Sequence, residues 1–498
     1  MGKITSERRE RMFDTHSQEQ MIYNNLAGQI QLGFFDDGER FPSVQEVARK
    51  FRVSYCPAQR ALKALERDGL IKLSRGKETA VVAKPYQDYL SSSIFQNRAA
   101  ALSDLNKSLA LLSPAICAYG IDPIKGPLSS VPPSEAGESV YSGKLLYRLF
   151  GRSLLALGSH TVSNLYHDAG AFIGSAYQDL LYAAYGETEA NRFLCKLAER
   201  FCQGFQEGRN GNFAAAKETF QDAGSVFFRK IEECMVKSVI PANACTQEAF
   251  RWEPCKGRTR YCDLIALDLI RKINQGVFPA GSFLPNHTSL ADLYHVSPIT
   301  IRRTAERLNK WGVTRPVNGI GTQVALPIDS TILYKFKEFR VGSQLNYFLE
   351  AFQLLAITCE DVIQATYSYF TEETLHTIIQ TVSAAKDRNA SMVAAIGTVL
   401  QALVRCCPLA AVREIYEKIT LLLLNGNIIQ LDQTCEKWFA GWPEFLRTFS
   451  ESLQSGNAAG FAATFRRLIT ENFLIARRRF LEIGISGIAE IAVPAGFL

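Results

Sequence analysis

The sequence predicts a mainly α-helical protein in which one unit, a small helix-turn-helix domain followed by an all-helical domain, occurs twice. Three observations predict this fold class. Identical residues, several of them Gly or Pro, recur at one fixed separation of 243 positions. Apolar residues in the long segments after each repeated stretch recur at helical spacing, as at Phe445, Phe449 and Leu453. Few stretches show the alternation of a strand.

The repeat is the strongest single feature of the chain. Nine residues of the first copy are found again 243 positions later without a gap, and they are Gly33, Pro42, Val53, Ser54, Arg60, Leu65, Gly69, Gly76 and Thr79. Their matches are Gly276, Pro285, Val296, Ser297, Arg303, Leu308, Gly312, Gly319 and Thr322. Agreement at turn-forming glycines and prolines is far harder to explain by composition than by duplication.

Residues 296–312, VSPITIRRTAERLNKWG, are predicted to form a short recognition helix for DNA. Ser297 is a good N-cap, and Pro298 falls at the first helical position, where its missing N–H does no harm. Ile301, Ala305 and Leu308 would face a core. The outward side chains would be Thr300, Arg302, Arg303, Arg307 and Lys310. Such a helix fits the major groove of DNA, whereas the alternative is a solvated basic face.

The flanking residues favour the recognition helix. Residues 289–294 form an amphipathic pattern that Asn286 would cap, and the next helix follows after about three residues, which is helix-turn-helix spacing. Residues 313–314 and 324–326 indicate two strand ends around a glycine-containing turn at 318–322. This order of elements predicts a winged helix.

Both copies resemble the GntR family of winged-helix regulators. The matching motifs of the first copy are Leu32-Gly33, Gly38, Pro42-Ser43, Val47-Ala48, Val53-Ser54, residues 65–71, and Gly76 with Thr79. Those of the second copy are Gly276, residues 279–281, Pro285, Leu290-Ala291, Val296-Ser297, residues 308–313, and residues 319–322. The resemblance implies DNA contacts from Ser297, Thr300, Arg302, Arg303, Asn318, Gly319 and Thr322 in the second copy, and from Ser43, Tyr55, Gln59, Arg60, Lys63, Arg75, Lys77 and Thr79 in the first.

The first copy departs from the family pattern more than the second does. Its leading helix is predicted at 20–32, Ser43 and Glu46 form a capping-box pattern, and its recognition helix is predicted at 54–68. Tyr55 and Gln59 stand where the family usually has arginines, and Glu78 replaces the second glycine of the wing. In the second copy Pro298 replaces the first of these arginines. We therefore expect the second copy to read bases, while the first contributes phosphate contacts.

The repeat extends beyond the winged helices. GNFAAAKETF at 211–220 corresponds to GNAAGFAATF at 456–465, with an offset of 245. The predicted segments are an N-terminal tail (1–17), a first winged helix (18–85), a first helical domain (86–240, with a loop at 121–143), a linker (241–260), a second winged helix (261–327), a second helical domain (328–482) and an apolar C-terminal tail (483–498). This tail is too apolar to be comfortable in water, so we predict that it packs against its own chain.

The helical domains resemble the effector domains of the FCD and fatty-acid-responsive branches of the family. FCD domains commonly bind a metal through one Asp and three His. In this chain His160, Asn164, His167 and Asp168 would share one helix face, but the second half has only His376, so we predict no metal and no cofactor. Trp438 and Trp442, or the aromatic residues at 166–185, would line an apolar pocket or belong to the core. The resemblance implies a small-molecule effector such as an organic acid or acyl compound.

Charge and composition agree with a DNA-binding regulator. The net charge is +6, with about +3 on residues 18–85, about +6 on residues 256–327 and about −3 on the rest. The twelve cysteines form no Cys-x-x-Cys motif, which favours reduced thiols. No catalytic signature, signal peptide or long apolar run is found, so we expect a cytoplasmic protein that is neither an enzyme nor bound to a membrane.

The predicted function is a ligand-responsive transcriptional regulator that binds a double-stranded DNA operator. The two winged helices would form an intramolecular pseudo-dimer, or the chain would form a homodimer. The alternative is a ligand-free scaffold for DNA or protein, with degenerate helical domains.

Overall fold

The computed structural model confirms a mainly α-helical chain, with its described strands confined to two small sheets. The described residues are 38–51, 53–73, 79–82, 90, 93–121, 141–174, 176–238, 248–255, 261–274, 276–325, 342–383, 388–426, 442–494, 496–497 and scattered positions between 19 and 35. Within these residues, no helix combines the length and the apolar character needed to cross a membrane.

The first winged helix contains β1 (Arg40–Phe41), α1 (Val44–Lys50), α2 (Tyr55–Arg67), β2 (Ile71–Lys72) and β3 (Thr79–Val81). The strands are antiparallel in the order β1-β3-β2. The predicted capping box forms at α1, because the Glu46 N–H donates to the Ser43 hydroxyl at 3.3 Å and the Ser43 N–H donates to the Glu46 carboxylate at 2.8 Å. The predicted leading helix is helical at its described positions, where Ile22 and Leu26 are buried.

The second winged helix follows the first helical domain in the chain and consists of three helices and a β-hairpin. Its elements are α9 (Tyr261–Asn274), α10 (His287–Tyr294), α11 (Pro298–Lys310), β4 (Thr314–Val317) and β5 (Gly321–Val324). As predicted, Asn286 caps α10, with its side-chain oxygen accepting the Ser289 N–H at 2.8 Å. Both strands of the hairpin are longer than the sequence predicts. Positive φ at Gly319 and Gly321 allows a turn of only three residues between them.

The duplication is visible in the backbone geometry of the two winged helices. Arg40 pairs with Ala80 in the first copy, and the residues 243 positions later, Phe283 and Gln323, pair in the second. The Gly38 and Gly281 N–H groups each donate at 3.0 Å to the carbonyl of the residue 43 positions further on. The same hydrogen bonds thus form at equivalent positions, so the shared turn residues specify one backbone.

The first helical domain follows the first winged helix. Its helices are α3 (Ser93–Tyr119), α4 (Tyr141–Ala156), α5 (His160–Ile173), α6 (Ala176–Tyr185), α7 (Glu187–Arg209) and α8 (Phe213–Ser238). Helix α8 packs along α3 and α7, and α4 packs along α7. Helix α4 begins at Tyr141, inside the loop predicted at 121–143, and residues 122–140 lie outside the described part.

The second helical domain follows the second winged helix. Its helices are α12 (Gly342–Thr366), α13 (Glu372–Ser383), α14 (Arg388–Cys406), α15 (Ala410–Leu423), α16 (Trp442–Gln454) and α17 (Ala458–Ile483). Helices α8 and α17 have the same length, and their ends are 245 positions apart. Asn212 and Asn457 cap them equivalently, accepting N–H groups at 3.2 and 2.9 Å. The offset read from the sequence therefore marks one repeated helix pair.

The apolar C-terminal tail packs against the chain, as predicted. Ile485, Ile488 and Ile491 are buried. The Ala492 N–H donates to the carbonyl of Leu157 in the first helical domain at 3.1 Å, and its own carbonyl accepts from the Gln353 amide at 2.8 Å. The tail therefore joins the two halves of the chain.

The two winged helices differ in how their cores connect to the helical domains. Among the described residues, the largest buried apolar cluster includes the second winged helix, the second helical domain and parts of the first, together with Phe250 and Trp252. The core of the first winged helix, which includes Phe41 and Leu62, is a separate cluster. The second winged helix is thus continuous with the helical core.

Candidate nucleic-acid interface

The recognition helix of the second copy begins where the sequence predicts. Ser297 is the N-cap in an extended conformation, and Pro298 lies in the first turn. The Ser297 hydroxyl makes no capping bond to the backbone; it lies 3.0 Å from the Thr300 hydroxyl. Both hydroxyls are therefore near the helix N-terminus, where the helix dipole favours a phosphate oxygen.

The buried face of α11 differs from the prediction at two positions. Ile301 and Leu308 are buried as predicted, whereas Ala305 is only half-buried. Thr304 takes its place, and its hydroxyl donates to the carbonyl of Cys262 on α9 at 3.2 Å. Ile301, Thr304 and Leu308 also have helical spacing in the sequence, at i, i+3 and i+7. The sequence analysis did not place Thr304, with its hydroxyl, on the buried face.

The cationic face of α11 is narrower than the sequence indicates. Arg302 and Arg303 are exposed, and Arg302 pairs with Glu306 at 3.1 Å. Arg303 forms no ion pair with any residue that the structure describes. Arg307 was predicted to point outward, but its guanidinium binds the buried carboxylate of Asp263 at 2.6 Å. We therefore assign Arg307 to the attachment of α11 to α9.

The wing presents polar groups at its tip. Asn318 and Gly319 are exposed in the turn, and Thr322 is half-buried on β5. Arg315 is exposed on β4, and its guanidinium donates to the side-chain oxygen of Gln323 at 2.9 Å. The sequence analysis missed Arg315; its place one residue after the first strand end was the available signal.

The first copy presents a different surface at equivalent positions. Tyr55, Arg60 and Lys63 are exposed on α2, and Gln59 is half-buried. Arg60 pairs with Glu19 of the leading helix at 3.2 Å. Two further candidates are engaged in the fold, since Ser43 is held in the capping box and Thr79 is half-buried on β3. Arg75 and Lys77 lie outside the described residues.

A buried carboxylate connects helices α9 and α10 of the second winged helix. Asp268 on α9 accepts the Tyr294 hydroxyl of α10 at 2.6 Å and pairs with Arg271 and Lys272 at 2.5 and 3.0 Å. Burial alone would raise the pKa of Asp268, but the neighbouring Arg271, with Tyr294 and Lys272, lowers it below the usual value. In the first copy Asn25 stands at the position of Asp268, so the sequence offers no equivalent ion pair there.

The polar face of α5 that was weighed as a metal site holds the linker. The Asn164 amide donates to the Pro254 carbonyl at 3.2 Å, and the Asp168 carboxylate accepts the Glu253 N–H at 3.3 Å. On the other side, the Glu414 carboxylate of α15 accepts the Trp252 N–H at 3.3 Å. The described part of the linker is therefore held between the two helical domains.

Comparison with known proteins identifies the repeated domain. The family model described as bacterial regulatory proteins, gntR family, matches the chain at residues 18–81 and again at 263–324. No curated protein matches the chain in sequence.

Several solved structures are similar to parts of this chain, among them three bacterial proteins. A GntR protein of Streptococcus agalactiae is 16% identical with a TM-score of 0.19, covering 43% of this chain and 99% of its own. A GntR-family transcriptional regulator of Pseudomonas syringae is 13% identical with a TM-score of 0.21, covering 44% and 86%. E. coli McbR/YncC is 13% identical with a TM-score of 0.22, covering 45% and 99%.

The assignment of the repeated domain rests on the family model and on the two winged helices. The family model covers the recognition helix in both copies and both described wing sheets. The chain therefore contains the winged-helix DNA-binding domain of the GntR family of bacterial regulatory proteins twice.

Proposed function

We propose that the chain is a transcriptional regulator, without enzymatic activity, whose two winged helices bind one double-stranded DNA operator as an intramolecular pseudo-dimer and whose affinity responds to a small molecule. The observation that carries the proposal is a reciprocal contact between the two helical domains. In each direction, a carboxylate of one half binds the N-terminus of a helix in the other half.

In one direction, the carboxylate comes from the first half. Asp104 on α3 accepts the backbone N–H groups of Ala410 and Ala411 at 2.8 and 2.7 Å. These are the first residues of α15, whose unpaired N–H groups and helix dipole favour a carboxylate. Asp104 therefore supplies the cap that Leu409, at the N-cap position, lacks.

In the other direction, the carboxylate comes from the second half. Glu350 on α12 accepts the Thr161 N–H at 2.8 Å and the Thr161 hydroxyl at 2.5 Å, at the N-terminus of α5. Helices α3 and α12 each follow a winged helix and pack against each other. The exchange of caps supports an approximate twofold relation between the halves, of the kind that lets GntR dimers read palindromes.

The two winged helices would then make unequal contributions to DNA binding. The second copy offers Arg302 and Arg303 on its recognition helix, and an arginine that binds guanine with two hydrogen bonds discriminates bases by about 1–3 kcal/mol. The first copy offers Arg60 and Lys63, which suit phosphates. The expected operator therefore has one strongly specified half-site and one weakly specified half-site.

A DNA titration on an operator selected from random sequence tests this proposal. Arg303→Ala should weaken specific binding by about 10- to 100-fold, because a bidentate base contact is worth about 1–3 kcal/mol. The matched control is Arg60→Ala, at the equivalent position of the first copy, and it should cost less. Equal losses of affinity, or no loss in either variant, would contradict the unequal contributions of the two winged helices. The absence of any specific binding would contradict a DNA-binding regulator.

The stoichiometry of the complex tests the pseudo-dimer separately. One chain should occupy one operator, because both winged helices are in the same chain. The mass of the complex, measured by light scattering at several protein concentrations, gives this ratio. Two chains on a single operator at every concentration would contradict the intramolecular arrangement.

A further inference from the structure

The first helical domain contains a cavity of about 240 Å³, partly open at one side, to which all six of its described helices contribute. Apolar and aromatic side chains form most of its wall, among them Phe150, Phe201 and Phe227. None of the described lining residues carries a charge. A cavity of ~150 Å³ holds benzene, so this one has room for roughly ten non-hydrogen atoms.

The hydroxyl groups at this cavity are not all satisfied. Ser113 and Tyr166 pair with each other, with their oxygens 3.1 Å apart. The hydroxyl of Tyr177 is buried and has no hydrogen-bond partner among the described residues. A buried polar group without a partner is uncommon, so the Tyr177 hydroxyl is a free donor for a ligand.

Two of the cavity positions, Gly224 and Leu109, correspond to larger side chains in the second helical domain. At the offset of 245 that relates α8 to α17, Gly224 corresponds to Ile469, which is buried. At the offset of 243, Leu109 and Ser113 correspond to the buried residues Phe352 and Ala356. Gly224 is closely placed, since a Cβ atom there would lie 3.2 Å from Pro114. The duplicated positions thus differ where the cavity is found.

We infer that this cavity is the binding site of an uncharged, mainly apolar small molecule that accepts a hydrogen bond from Tyr177. The inference rests on the proposed ligand response and narrows its chemistry. Organic acids do not fit, because a carboxylate buried without a cation is strongly disfavoured. The ligand would therefore bind in the first half of the chain. The winged helix with the stronger candidate DNA contacts lies in the second half.

Three probes of similar size test the ligand class on the full chain without DNA. Acetophenone has a carbonyl acceptor, cumene has none, and benzoate is anionic. Isothermal calorimetry and the melting temperature report binding, because a ligand that binds only the native state stabilises it. We expect acetophenone to bind best, cumene to bind more weakly, and benzoate not to bind.

Two variants locate the site. Tyr177→Phe should weaken acetophenone binding by about five- to tenfold, the value of one hydrogen bond, and leave cumene unchanged. Leu109→Phe introduces the residue of the second copy and should abolish binding of both neutral probes. The matched control is Tyr367→Phe, which removes a second buried hydroxyl without a described partner, outside the cavity lining.

The outcomes separate this inference from the proposed function. The inference is overturned if benzoate binds best or if none of the probes binds, whatever the DNA titration shows. Binding of acetophenone that both variants leave unchanged also overturns it, because the site is then elsewhere. The expected pattern in a protein that binds no operator would support the cavity and contradict the proposed regulator.

Discussion

The two winged helices share one backbone but differ in their surfaces and in their attachment. The residues that fix turns and buried positions occur in both copies, and the hydrogen bonds they make recur with the same offset. The residues that would meet DNA differ, with Gln59 in the first copy and Arg302 in the second. Duplication therefore preserves the determinants of the fold, while the charged surface is free to change.

The attachment of the two domains differs as well. The core of the second winged helix joins the helical core in one cluster that includes Phe250 and Trp252 of the linker. The core of the first is separate among the described residues. A winged helix joined through buried contacts can respond to a change in the helical domains, so we expect the second reader to be the regulated one.

The largest effect should come from removing the buried linker side chain. Trp252 is 1% exposed, so Trp252→Ala should destabilise the joined core by about 3–5 kcal/mol. Amide hydrogen exchange followed by peptide mass spectrometry measures this locally, which is necessary in a chain of several domains. Protection should fall in α9–α11, α5 and α15, and be retained in residues 38–81.

Phe41→Ala is the matched control in the other winged helix. Phe41 is 1% exposed in the separate cluster, so its removal should lower protection in residues 38–81 only. If Trp252→Ala also lowered protection in the first winged helix to the same extent, the two cores would be coupled and the difference in attachment would not hold.

A smaller effect is expected from the buried carboxylate of the second winged helix. Asp268→Asn should cost about 2 kcal/mol at neutral pH, less than for a fully buried pair, because Arg271 and Lys272 are partly exposed. Folding lowers the pKa of Asp268. Its contribution to the free energy of unfolding is therefore complete above about pH 4, the pKa of an Asp side chain in the unfolded chain. It is lost as the pH falls through the lower, folded pKa.

Local exchange in α9 and α10 at several pH values checks this prediction. The difference between the parent chain and Asp268→Asn should shrink below about pH 4, whereas the first winged helix, with Asn25 at that position, should show no matching change. A difference that stays constant down to acid pH would mean that packing, not charge, is what Asp268 contributes.

The smallest effect should come from adding the missing arginine to the first copy. Gln59→Arg places a guanidinium at the position equivalent to Arg302, on a helix whose neighbours Arg60 and Lys63 are exposed. We expect a severalfold gain in DNA affinity and a steeper dependence on salt, because each new phosphate contact releases about one counterion. A DNA titration at several salt concentrations measures both quantities.

An unchanged affinity and salt slope would place the first recognition helix away from the operator. Lys63→Ala is a useful companion variant, because removal of a phosphate contact should reduce the slope by about one. Opposite changes in the two variants would show that α2 lies on DNA.

The sequence by itself determined the repeat, the fold class and the recognition helix. Gly and Pro at turns, Asn286 and Ser43 at helix starts, and the helical period of the apolar residues are local signals, so their structures followed from neighbouring residues. The packing of the apolar tail also followed, because so much exposed apolar surface is unfavourable in water.

Only the tertiary structure decided which polar groups remain available. Arg307 appeared as exposed as Arg303 in the sequence, but Asp263 binds it, and Asn164 and Asp168 hold the linker. The exchanged caps were likewise not visible in the sequence, whereas the aromatic residues at 166–185 were named there as possible pocket residues, and Tyr166 and Tyr177 do line the cavity. Each of these depends on groups far apart in the chain meeting in space, and a local pattern does not contain the distance between them.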